Sequence, residues 1–157
     1  CQADISKSAE VSDAFAKIVE ELGEVNALVN NAGIQLEKPL LETTPSDFDA
    51  VMDSNVKGMV LMSQQVLRAM TESAIHGRVI NIASDLAYHG RENLSVYCAS
   101  KAAVLALTKS WAREFAPGLY PVFGRGAGVS RLGLCHDRAA SRVFRCHQYA
   151  GNGGTRG

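Results

Sequence analysis

The chain has 157 residues, is 46% hydrophobic and 20% charged, and balances 16 Lys+Arg against 16 Asp+Glu, which makes it one domain's worth of sequence with enough apolar content to bury a core. No apolar run approaches the roughly 18 residues of a membrane span and no basic-then-apolar leader opens the sequence, so neither membrane nor export is expected and a cytoplasmic location is. Cys1, Cys98, Cys135 and Cys146 are too scattered for a disulfide framework and read as reduced thiols.

In chain order, Val11, Phe15, Ile18, Val19 and Leu22 recur at helical spacing after Ser8 and stop at Gly23, an amphipathic helix with a glycine exit. The short apolar run V-N-A-L-V follows as a buried strand and ends in N-N-A-G. Thr44 then stands as an N-cap, with Pro45 at the first helical position and Asp47 at the third. They open a long helix through Phe48, Val51, Met52, Val56, Met59, Val66, Leu67 and Met70. G-R-V-I-N-I-A-S, residues 77–84, is a second strand, and a loop through Gly90 leads to a helix over Tyr97, Lys101, Val104, Leu107, Trp111 and Phe115. Strands alternating with helices predict an α/β fold with a parallel sheet, and such sheets bind ligands at the carboxyl ends of their strands. N-N-A-G and Ser84 both fall at predicted strand ends.

The zero net charge hides a break near Pro117-Gly118. Residues 1–117 carry ten Lys+Arg and fifteen Asp+Glu; residues 118–157 carry six Arg, one acid (Asp137) and nine of the fourteen glycines. This last segment has no clear period and is expected to be irregular or disordered, with the helix ending near Phe115 as the last regular element and a strand edge left bare. Its scattered arginines lack the aromatic interleaving of a nucleic-acid-binding arm, and Cys135-His136 with Cys146-His147 is not a zinc spacing, so no nucleic acid and no metal are expected.

Tyr97 and Lys101 lie four apart, on one face of a helix. With four Tyr and six Lys in 157 residues, a Y-x-x-x-K arises by chance roughly one time in seven, so the pair alone decides little. The full order, Asp4, then Asn30-Asn31-Ala32-Gly33, then Asn55, Ser84, Tyr97 and Lys101, resembles the short-chain dehydrogenase/reductase family, with the general flavour of the 3-oxoacyl-carrier-protein reductases, over about residues 1–117.

The resemblance implies a three-layer Rossmann-like domain over 1–117 and an NAD- or NADP-dependent oxidoreductase acting on a small carbonyl or alcohol substrate. It implies Asn55, Ser84, Tyr97 and Lys101 as catalytic residues, with Tyr97 the acid–base group, Lys101 drawing the phenol into working range and gripping the ribose, Ser84 holding the substrate oxygen, and Asn55 anchoring a water relay at a local break in its helix. Asp4, Asn31, Ala32, Gly33, Tyr97 and Lys101 would contact the cofactor. The family pairs the helices around 48–70 and 96–115 across a two-fold axis, so a homodimer or homotetramer is expected. Cys98 reads as a small packing residue.

Two parts of the family pattern are absent. The glycine-rich T-G-x-x-x-G-x-G turn would lie some 50 or more residues before Asp4, so the first βαβ unit is expected to be missing, the chain starting at Cys1 inside a strand. After residue 117 the expected V-A-P-G-like loop is replaced, yet Gly124 to Gly128 can be encoded GGC CGT GGC GCC GGG, which reads A-V-A-P-G one nucleotide on. A frameshift near residue 117 and a non-native tail over 118–157 are expected, and a non-catalytic fragment or interaction module that retains the scaffold is the alternative function class.

Overall fold

The computed structural model describes residues 2–115, 122–125 and 143–146. Helix α1 (Ser8–Leu22) is followed by strand β1 (Ala27–Asn30), a 3-10 turn (Leu40–Glu42) and helix α2 (Pro45–Met52). A π-helical turn (Asp53–Lys57) then joins α2 to α3 (Gly58–Glu72), ahead of β2 (Arg78–Ile82), a short α4 (Leu86–His89) and α5 (Ser95–Glu114). Strands β3 (Val122–Arg125) and β4 (Val143–Cys146) complete a four-stranded sheet of order β3-β2-β1-β4. Every pairing is parallel, with Asn30 beside Asn81 and Ile82 beside Arg125. This is the α/β architecture the alternating pattern predicts.

Local chemistry explains the helix starts. Asp47 N–H donates to Thr44 Oγ1 at 3.2 Å while Thr44 N–H donates to the Asp47 carboxylate at 2.9 Å, a capping box with Pro45 in the first turn. Lys38 Nζ adds an ion pair to the same carboxylate at 2.7 Å, which holds Asp47 down to about 2. Further along, Gly58 lets α3 approach the amino-terminal segment: a Cβ there would lie 2.6 Å from Ile5 Cγ1.

The core forms where α1 and α3 cover the sheet, with Val11, Leu28, Val66, Met70 and Val79 essentially buried. A second cluster, Met59, Ala83 and Val104, seats α5. Between them runs a buried polar chain. Asn30 Nδ2 donates to Ser63 Oγ at 2.9 Å and to Asn81 Oδ1 at 2.7 Å, and Asn81 Nδ2 donates to Thr108 Oγ1 at 2.9 Å. One connected set of amides and hydroxyls thus spans α3, β1, β2 and α5, and each member has its partner.

The structure departs from the sequence expectations in several places. Val19, Leu22 and Phe48 stand exposed, because the faces that meet the sheet are narrower than the apolar stripes. Residues 2–4, where the sequence suggests the end of a strand, are not in a strand. The helix ending at Glu114 is not the last regular element: V-F-G-R and V-F-R-C pair with β2 and β1, so neither edge of the β1–β2 pair is bare. Four residues beginning Val-Phe suffice for a parallel rung, since the edge offers unpaired main-chain groups whatever the flanking periodicity. Gly126 to Gly128, Cys135-His136 and His147 lie outside the described residues. Among the described residues no helix is long and apolar enough to cross a membrane.

Candidate active site at the carboxyl ends of the strands

Strand β1 ends at Asn30 and β2 at Ile82, so Asn31-Ala32-Gly33 and Ala83-Ser84 emerge side by side at the carboxyl edge of the sheet. Helix α5 delivers Tyr97 and Lys101 from its first two turns to that edge. The Lys101 side chain runs inward, and its Nζ donates to Ile82 O at 2.8 Å. Nζ also sits 5.9 Å from the centroid of the Tyr97 ring, within cation–π range. Lys101 is 6% exposed, and burial pushes its pKa below the ordinary 10.5.

Asn55 comes from the π-helical turn, the local break that the resemblance implies, and is buried. Its Oδ1 accepts from Ile34 N–H at 2.7 Å, and its Nδ2 donates to Ile34 O at 2.9 Å and to Ser100 Oγ at 2.9 Å. The extra residue of the π-turn lets the carboxamide clasp both main-chain polar groups of Ile34, just after N-N-A-G. Gly33 lies inside this assembly: a Cβ there would fall 2.9 Å from Asn55 Oδ1 and 3.6 Å from Lys101 Nζ. Only a glycine leaves that space open.

Among the predicted site residues, Gly33, Asn55, Tyr97 and Lys101 are brought together. Asn31 and Ala32 share the same loop, and Ala32 packs against the core. Ser84 reaches the same edge but turns to its own neighbours, donating to Asp85 Oδ1 at 3.1 Å and accepting from Leu86 N–H at 3.2 Å at the start of α4. Asp4 is not part of the cluster. Its Oδ1 accepts from Ser6 Oγ at 2.7 Å and from Ser6 N–H at 3.0 Å, which with Lys7 lowers its pKa and leads the chain into α1. Ser100 and the main chain of Ile34 belong to the assembly and are not singled out by the sequence. The available signal is a serine three residues after Tyr97 on a helix, the spacing at which a hydroxyl bonds back to a carbonyl.

Comparison with known proteins decides the family. Residues 1–119 match the family model described as short chain dehydrogenase. The chain belongs to that family. It is 37% identical over 115 residues to a short-chain dehydrogenase/reductase of Armillaria gallica, covering 73% of this chain and 44% of that relative. To the 3-oxoacyl-[acyl-carrier-protein] reductase of Thermotoga maritima it is 35% identical over 107 residues, covering 68% of this chain and 43% of that one. The chain thus spans less than half the length of these relatives. Among solved structures it resembles a 4-hydroxyisoleucine dehydrogenase complexed with NADH, with a TM-score of 0.75 and 31% identity over 79% of this chain and 55% of that one. It also resembles a metagenomic short-chain oxidoreductase in complex with NADP, at a TM-score of 0.75 and 27% identity over 81% and 57%.

Proposed function

We propose that the chain is the catalytic portion of an NAD- or NADP-dependent oxidoreductase that interconverts a small carbonyl and its alcohol. The observation that carries this is the convergence of Tyr97, Lys101, Asn55 and Gly33 at the carboxyl end of a parallel sheet, with a buried ammonium beside a half-buried phenol. Gly33 and Lys101 fit the nicotinamide end of the cofactor, since the loop backbone is open at the point where a Cβ would crowd Asn55 and the ammonium. A bound nicotinamide would supply or accept the hydride.

The chain's own groups do the rest. Tyr97 gives its phenolic proton to the carbonyl oxygen, or takes the alcohol proton in reverse. Lys101, held by Ile82 O, keeps N–H donors for a ribose hydroxyl. Ser84, released from Asp85 when substrate enters, holds the substrate oxygen. Asn31, Ala32 and Gly33 face the cofactor, and Asp4 belongs to its adenine side in the complete site.

The composition break after residue 117 supports the proposal that residues 118–157 are a frameshifted replacement of the native end, and the lack of a T-G-x-x-x-G-x-G turn in the 157 residues supports the proposal that the phosphate cradle lies outside them. The same observation favours a second reading, a scaffold that binds no dinucleotide. Titrating NADH and NADPH fluorescence separates them: this chain is expected to show no saturable binding, and a chain extended upstream through a glycine-rich turn is expected to bind. If the extended chain binds neither nucleotide, the oxidoreductase proposal fails.

The outer faces of α3 and α5 support a dimer in the longer parent. A groove of about 420 Å³ runs between them, floored by Leu67, Trp111 and Phe115 and rimmed by Gln64 and Arg68. Light scattering that shows a strict monomer of the extended chain would refute it.

A further inference from the structure

We propose that Ser100 is a positioning residue of this site: its hydroxyl locks the Asn55 carboxamide, and through it the π-helical turn and the N-N-A-G loop, to the helix that carries Tyr97 and Lys101. Its consequence for turnover rests on the oxidoreductase reading above; the hydrogen-bond arrangement does not.

Ser100 is fully buried and immediately precedes Lys101. A hydroxyl has one hydrogen to give, and Ser100 Oγ gives it to Tyr97 O at 2.7 Å. Only lone pairs remain for Asn55, so the Asn55 side chain must present its NH2 group to α5, as it does at 2.9 Å. The same orientation is demanded from the other side, where Ile34 offers an N–H to Oδ1 and a carbonyl to Nδ2. A flipped amide would set acceptor against acceptor at Ser100 and donor against donor at Ile34 N–H. The carboxamide therefore has one orientation, fixed at three points, and Ser100 supplies the only one of the three that reaches α5. Loss of that point frees Asn55 from the catalytic helix and leaves a buried N–H unpaired. Because Gly33 leaves room beside both Asn55 Oδ1 and Lys101 Nζ, a shift of the carboxamide alters the space around the ammonium.

Amide hydrogen exchange by NMR on the full 157-residue chain tests this. In the unmodified chain the two Asn55 Nδ2 protons should be distinct and slowly exchanging, with a nuclear Overhauser contact to the Ser100 β-protons; an averaged, freely rotating carboxamide overturns the proposal without any variant. In Ser100→Ala, exchange at Asn55 Nδ2 and Ile34 N–H should accelerate at least tenfold, while Leu28 and Val79 in the strands change less than threefold. Ser100→Thr, which keeps the hydroxyl, should restore the slow exchange. In an Asn55→Ala background, Ser100→Ala should add no further change at Ile34. Acceleration shared equally by the strand amides marks a merely structural serine and overturns the proposal, as does an unchanged Asn55. In an upstream-extended chain, Ser100→Ala should lower kcat about tenfold with less than threefold change in nucleotide Kd. Absence of nucleotide binding by that extended chain counts against the oxidoreductase reading and leaves the exchange result standing.

Discussion

Replacing Asn81 with alanine is expected to be the most damaging single change in the sheet. Asn81 is fully buried, accepts from Asn30 Nδ2 at 2.7 Å and donates to Thr108 Oγ1 at 2.9 Å. Asn81→Ala removes two hydrogen bonds of about 1 kcal/mol each and leaves part of the donor capacity of Asn30 without its acceptor, at about 1–3 kcal/mol. The vacated volume adds a cavity cost. Before that cavity term the sum is already about 3–5 kcal/mol, a large share of the ~5–15 kcal/mol by which a domain is stable.

Thr108→Val is the control. It keeps shape, leaves Asn81 its bond from Asn30, and leaves one Asn81 N–H unpaired, at about 1–3 kcal/mol. Trp111, the single tryptophan, packs against both core clusters and reports unfolding in urea. With a slope of ~2 kcal/mol per molar, Asn81→Ala should move the midpoint down by about 1.5–2.5 M and Thr108→Val by about half as much. If Asn81→Ala costs under ~1 kcal/mol, or less than Thr108→Val, then the polar chain does not bind the helices to the sheet in the way the distances imply.

Three further outcomes are expected. In an upstream-extended chain Tyr97→Phe should cost several orders of magnitude in turnover with nucleotide binding intact, and retention of more than a tenth of the activity removes Tyr97 from its role. Because burial lowers the folded pKa of Lys101 below 10.5, the unfolded chain binds more protons in the window between the two values, so stability should rise as pH climbs through the folded pKa towards 10.5; urea midpoints of Lys101→Met should lose this rise. Asp47 is held down to about 2 from 3.8, chiefly by Lys38, so its stabilisation is complete above pH 3.8 and lost as pH falls through about 2, a slope that should vanish from acid titration of helicity in Asp47→Asn.

The elements most legible in the sequence are those whose signal is local. Thr44-Pro45 with Asp47 marks the start of α2 because a capping box is chemistry between neighbours, and Y-x-x-x-K on a helix places two groups on one face by geometry alone. The α/β class follows from the alternation of the two periods. What stays illegible depends on contacts distant in sequence. Asn30, Ser63, Asn81 and Thr108 look like unrelated polar residues until the sheet brings them together. Ser100 reads as a small helix residue until Asn55 arrives from 45 positions away. Strands β3 and β4 escape notice because a receptive sheet edge, rather than their own pattern, makes them strands.

The distribution of these contacts bears on how binding and chemistry divide along the chain. Among the described residues, every hydrogen bond that orients the Asn55 and Lys101 side chains comes from Ile34, Ile82 or Ser100, and the polar chain behind them runs from Asn30 to Thr108. The Asn55–Lys101 cluster is thus oriented by the loop after β1, the π-turn, β2 and α5. On the proposed function, a glycine-rich turn at a helix N-terminus would contribute dinucleotide affinity through the pyrophosphate. If the proposed function holds, a chain with these contacts and no such turn would keep Tyr97 and Lys101 in place while lacking the binding energy to bring a hydride to them.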